Sequence, residues 1–229
     1  IALDGRRGAL GGASGLSRAA HYLTTVMEQD VISAPKGRPR EFCVDQALAE
    51  ALHVFWAKGY DGASMTDLTE AMGITKPSLY AAFGNKEALF HKALDLYEQE
   101  KLEYGRTALE QPTARKVAEY YLRGAIEIHG GSSDPKGCMG LISSLACSPE
   151  AESIKADVVR RRASSQRLLV ERFERAKAEG DIPAHVDAEG LTSVLYALLQ
   201  GITVQAGAGA TRAELERLVD TSMTLWPSS

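Results

Sequence analysis

The most restrictive feature of this chain is a run of helix punctuation between residues 59 and 87. Gly59 sits where a helix would stop, because glycine adopts the left-handed backbone that a C-terminal cap commonly needs. Ser64-Met65-Thr66-Asp67 then reads as a new start, with Asp67 where a capping box usually carries Glu or Gln. Leu68, Ala71 and Met72 point inward, and Gly73 ends this second segment. Thr75 caps a third helix, whose first turn tolerates Pro77 because those N–H groups have no intrahelical partner. Asn85-Lys86-Glu87 opens a fourth. Two short helices joined by a glycine-containing turn make a helix-turn-helix.

The neighbouring segments supply its core. Val44, Ala47, Leu48, Ala51, Leu52 and Phe55 recur at helical spacing, so the first helix buries one stripe. Ala88, Leu89, Leu94 and Leu96 continue the packing downstream. In the third helix Leu79 turns to the core, leaving Thr75, Lys76, Ser78 and Tyr80 outside. Small and basic residues at a helix start suit a DNA major groove, and the free N–H groups there suit phosphate. Lys36-Gly37-Arg38-Pro39-Arg40 places three cations just ahead of the head, a source of affinity without base readout.

Charge limits how such binding can work. The chain carries 26 basic and 30 acidic residues, net −4, unlike a protein that coats nucleic acid by bulk attraction. Residues 36–92 hold seven cations and seven carboxylates, so the binding face must be polarised, with Lys76, Lys86 and the Arg38/Arg40 arm on one side. One head would then bind moderately, and two heads per site are expected.

Cys43, Cys138 and Cys147 form no CxxC pair, a usage that suits a reducing cytosol. The longest uncharged stretch, 190–211, contains four glycines and interspersed polar residues, and reads as a buried helix rather than a membrane span. The glycine-rich opening is too poor in large apolar residues to offset its ordering entropy. Residues 1–35 are therefore expected to be a disordered leader, and 1–26, ahead of the first methionine Met27, an added extension. An arm that folds on DNA is the rival reading of that segment.

With these residues in place, the stretch 37–94 resembles the DNA-binding domain of the TetR/AcrR family of bacterial transcriptional regulators. The resemblance rests on Gly59-Tyr60, on Ser64 to Leu68, on Ala71 to Tyr80, on Phe83 and on Asn85 to Leu89. It implies an all-α homodimer of the bacterial cytoplasm. Residues 36–92 would be a three-helix helix-turn-helix DNA-binding domain, and 93–229 a larger helical effector-binding and dimerisation domain. Such a regulator, a repressor on this reading, binds a palindromic operator in double-stranded DNA and releases it when a small-molecule effector enters the body. By position, Thr75, Lys76, Pro77, Ser78 and Tyr80 fall on the recognition helix. Ser64 and Thr66 fall at the start of the preceding helix, and Lys86 at the start of the following one.

Beyond residue 95 the pattern stays helical, without strand-like alternation. Tyr120, Tyr121 and Ile128 share one stripe; Cys138, Met139 and Ile142 follow in a short apolar helix; Leu168 and Leu169 face inward from a long one. From these, Tyr120, Tyr121, Ile128, Cys138, Met139, Ile142 and Leu169 are the candidate effector-lining residues. Few charges interrupt them, which favours an apolar or aromatic ligand. Arg160-Arg161-Arg162 reads as solvated or paired with acidic neighbours. The candidate dimer face is Leu191, Leu195, Leu198, Leu199 and Ile202, with Leu215, Leu218 and Ser222 from the last helix. The first set is apolar over more than half its circumference and needs a second partner, which the resemblance supplies as a second copy.

No catalytic centre, metal site or cofactor is expected: the five histidines are scattered, and no HExxH pair, phosphate loop or nucleophile elbow occurs. Two alternatives stand beside ligand induction. Cys138, at a helix start after a Gly/Ser loop, could sense oxidants or electrophiles, since free N–H groups favour its thiolate. A cofactor-free helical enzyme would need clustered titrating groups.

Overall fold

The computed structural model describes residues 43–130, 134–145 and 148–227. Arg38, Arg40, the leader and Cys147 lie outside the described residues. Everything described is helix or connecting turn, with no strand among the described residues.

Four helices build the head. They are α1 (Val44–Gly62), α2 (Met65–Met72), α3 (Lys76–Phe83) and α4 (Lys86–Lys101). Their starts follow the expected punctuation. Ser64 and Asp67 close a reciprocal capping box on α2, Thr75 Oγ1 accepts from the Ser78 N–H, and Asn85 Oδ1 accepts from the Ala88 N–H at 2.7 Å. Gly59 behaves differently from a simple stop. It takes φ 71° and ψ 178° inside α1, kinking the helix, which continues irregularly to Gly62. A side chain at Gly59 would be strained by that φ and would also press on Ile142, 3.3 Å from the Cβ position.

The rest of the chain is α5 (Tyr104–Leu109), α6 (Ala114–His129), α7 (Met139–Leu145), a single 3₁₀ turn (Pro149–Ala151), α8 (Glu152–Ala178), α9 (Ala188–Gly207) and α10 (Arg212–Thr224). Two hydrophobic cores result. One joins α1–α4 to Met139, Ile154 and Val158, and the other packs α6, the second half of α8, α9 and α10 around Leu122, Phe173, Leu195 and Val219. The expected boundary at 92/93 falls inside the continuous helix α4, and the head's core runs on into α7 and the start of α8. Arg161 ties that junction: its guanidinium donates to Asp95 at 2.6 Å and Glu98 at 2.9 Å on α4, and to Asp157 at 2.9 Å. The arginine triplet is thus paired, not a nucleic-acid patch. Arg160 also pairs with Asp157, and Arg162 lies over the Tyr196 ring.

Candidate functional site

The DNA-reading face is built from local caps. Leu79 and Phe83 are buried, which turns Lys76, Pro77 and Tyr80 outward, and Tyr80 is 51% exposed. Thr66 and Thr75 are also exposed, and Ser78 is half-buried. The structure therefore brings Thr66, Thr75, Lys76, Pro77, Ser78 and Tyr80 to the motif's outer surface. Ser64 is there too, but its hydroxyl is occupied, accepting from the Asp67 N–H and donating to its carboxylate. Lys58 lies 2.6 Å from Asp67 and, with Ser64, holds that carboxyl well below its ordinary range, so the acid near the face stays paired. Lys86 is less free than its charge suggests. Its ammonium rests 4.4 Å from the Tyr60 ring centroid, and partial burial pushes its pKa down.

A cavity of about 880 Å³ lies between α4, α5, α6, α7, α8 and α9. Its walls depend on two close approaches. A Cβ at Gly124 on α6 would overlap the Tyr104 ring of α5, and one at Gly105 on α5 would sit 2.8 Å from the Tyr121 hydroxyl. Glycine at both positions lets the tyrosines interleave, with ring centroids 5.6 Å apart. The Tyr196 hydroxyl lies between those of Tyr121 and Ser165, and burial raises the pKa of both Tyr121 and Tyr196. These phenols are neutral at pH 7. At the rim, with the Gln200 amide turned oxygen toward it, the Arg162 guanidinium donates to Oε1 at 2.5 and 2.7 Å.

The floor lies where α4, the end of α6 and the start of α7 meet. Tyr97, His129 and Cys138 line it. The Trp56 Nε1–H of α1 donates to the Gly137 carbonyl at 2.5 Å, and the Trp56 ring meets His129 edge-on at 6.4 Å. The head's first helix is thus bonded to the residue just before the cavity-lining Cys138.

Several expected lining residues fall elsewhere. Tyr121 and Cys138 line the cavity, but Tyr120 and Ile128 line a separate groove of about 700 Å³ on the other side of α6. The reason is rotational: α6 buries Val117, Ala118, Leu122, Ala125 and Ile126, which turns Tyr120 outward at 39% exposure. Met139 and Leu169 are fully buried core, and Ile142 packs toward the head's core instead of the void. Leu168 is 50% exposed, not inward, and lines the cavity. The sequence reading missed Tyr97, Tyr104, His129 and Tyr196. They are spread from α4 to α9, so no local pattern in the sequence pairs them.

The expected dimer face also needs correction. Leu191, Leu195, Leu199, Ile202 and Leu215 are buried in the chain's own second core. Leu198, Leu218 and Ser222 are only partly buried, and the outward apolar residues are Val194, Val204 and Leu225, at 53%, 58% and 82% exposure. A helix apolar on two sides has one side for its own core, and the larger leucines took it.

Comparison with known proteins agrees with this geometry. A family model described as bacterial regulatory proteins, tetR family, matches residues 47–93, which span most of α1 through the first half of α4. The chain is 34% identical over 200 residues to the HTH-type transcriptional repressor ComR of Escherichia coli (strain K12), covering 86% of this chain and 94% of that protein. Over 61 residues it is 48% identical to the HTH-type transcriptional repressor BdcR of the same strain, 27% of this chain and 31% of that protein. Among solved structures, a cysteine mutant of the TetR family transcriptional regulator CifR, complexed with a 26-bp double-strand operator, is 40% identical. It matches with a TM-score of 0.79 over 83% of this chain and 100% of that one. These relatives are transcriptional regulators and not enzymes. The chain belongs to the TetR family of bacterial transcriptional regulators.

Proposed function

We infer that the protein is a ligand-responsive repressor of the bacterial cytoplasm that binds a palindromic operator as a homodimer and releases it when an effector fills the cavity. The observation that carries this reading is the pairing of an outward recognition helix with a cavity whose lining residue Cys138 directly follows the Gly137 carbonyl that Trp56 of α1 holds. Lys76, Pro77, Ser78 and Tyr80 enter the major groove; Thr66, Thr75, Lys86 and the Arg38/Arg40 arm meet the backbone. Val194, Leu198 and Val204 of α9, with Leu218, Ser222 and Leu225 beyond, face the second copy.

The experiment begins with operator selection from random DNA by the full chain, followed by anisotropy titrations. Tyr80→Ala and Lys76→Ala should each weaken binding about tenfold, or about 1.4 kcal/mol, with helix content and dimer intact. Unchanged affinity in both would refute the reading face. Val194→Asp with Val204→Asp should give a folded monomer in sedimentation. A small-molecule thermal-shift screen followed by operator release tests the cavity.

A second reading has one observation behind it: Cys138 is half-buried, lines the cavity and lies against the Tyr97 hydroxyl. An electrophile admitted to the cavity, such as a quinone, would add the Cys138 sulfur to its ring and take up the thiol's proton. Operator release by benzoquinone in the parent, and equal release in Cys138→Ser, would remove that reading.

A further inference from the structure

Two sequestered polar atoms belong to residues that line the cavity. His129 is 3% exposed and Tyr97 1%, yet His129 Nδ1 and the Tyr97 hydroxyl close no hydrogen bond of normal geometry. The Tyr97 oxygen approaches the Cys138 thiol and the Met139 backbone only loosely, and both side chains line the same void as Cys138. Buried polar atoms left unpaired are destabilising, so two of them on residues beside one cavity suit a group that can both donate and accept.

The charge distribution says which group. Burial drives the His129 pKa down to about 4 despite the facing Gly137 carbonyl, so the ring is uncharged at pH 7. The Tyr97 phenol, deeply buried, stays protonated. The cations lining the cavity are Arg106 on α5 and four arginines of α8. Arg106, Arg160, Arg162 and Arg167 are exposed, and Arg161 is spent on three carboxylates. Lys101, near Trp56, is bound to Asp134 at 2.6 Å and is not among the lining residues. A carboxylate on the floor would be desolvated without a counter-ion.

Resting on the cavity being the effector site, we propose that His129 Nδ1 and the Tyr97 hydroxyl form the subsite that takes the hydroxyl group of an uncharged aromatic effector. The effector's ring lies against Tyr104 and Tyr121, which line the path toward the rim. A hydroxyl satisfies Nδ1 in either imidazole tautomer and gives the phenol a hydrogen-bond partner. The subsite also faces the head: His129 meets the Trp56 ring, and Trp56 shares the Gly137 carbonyl. A ligand group seated there acts one contact away from α1.

The test uses the full-length dimer and three matched probes: 4-ethylphenol, ethylbenzene and 4-ethylbenzoate. Ligand-observed NMR titrations should give 4-ethylphenol at least tenfold tighter binding than the other two, and the ¹⁵N resonance of His129 Nδ1 should shift only with the phenol. His129→Phe should abolish the preference while ethylbenzene still binds. His129→Asn, which keeps a donor and an acceptor, should retain part of it and guards against a folding artefact. Equal affinity for all three probes keeps the cavity as a ligand site and overturns the hydroxyl subsite alone. So does a preference that survives His129→Phe in a folded protein. Binding of none of the three also overturns the subsite, while the operator-release screen decides separately on the cavity.

Discussion

The two hydrophobic cores of this protein are assembled in different ways. The head's helices are set by local chemistry: three consecutive helices begin on Ser64, Thr75 and Asn85 caps, and Leu68, Met72, Leu79 and Phe83 between them are buried. The second core is assembled over long separations, from α6, α8, α9 and α10, and Arg172 closes the end of α5 by donating to the Leu109 and Gln111 carbonyls at 3.1 and 2.7 Å. Between the two cores lies the cavity, and α7 with the start of α8 sides with the head. The comparison teaches where a ligand can act. A group entering the cavity would touch, through Cys138 and α7, helices that belong to the head's core.

Four perturbations break or sharpen that contrast. Trp56→Ala should have the largest effect, about 3–5 kcal/mol by chemical denaturation, because the ring is fully buried and its N–H holds Gly137. If instead the loss is below about 1 kcal/mol, the head and the cavity floor are not joined there.

Acid comes next. His129 is kept neutral in the fold, with a pKa of about 4 against 6.5 in the unfolded chain, so the unfolded state binds more protons between those values. Its contribution is intact above pH 6.5 and declines as pH falls, reaching a loss of about 3 kcal/mol near pH 4. Denaturation of parent and His129→Phe across that window should show the difference in slope; parallel curves would place the imidazole in contact with water.

Gly124→Ala tests the cavity wall without touching either core directly. The new methyl would overlap the Tyr104 ring, and overpacking of this kind costs about 1–3 kcal/mol. The variant should lose ligand-induced thermal shifts while the head still binds operator. Thr75→Ala is the mildest change, costing about 1 kcal/mol through the lost cap on α3. That loss should appear equally in DNA-free stability and leave cavity binding alone; a change in ligand affinity would mean the two cores are more tightly coupled than their contacts suggest.

Sequence by itself determined the head. Caps and glycine stops act within three or four residues, so Ser64, Gly73, Thr75 and Asn85 could be read as backbone hydrogen bonds before any packing was known, and Leu79 against Tyr80 set the outward face. It also marked α9 as apolar on two sides. What tertiary structure alone decided was which side faced home. Leu191, Leu195 and Leu199 turned into the chain's own core and Val194 and Val204 turned out, because the rotation of a helix depends on the volume its neighbours leave open. The cavity was decided in the same way. Tyr97, Tyr104, His129 and Tyr196 carry no mutual spacing rule, and they converge only because Gly105 and Gly124 let two helices close and the core of α6 turns Tyr120 away.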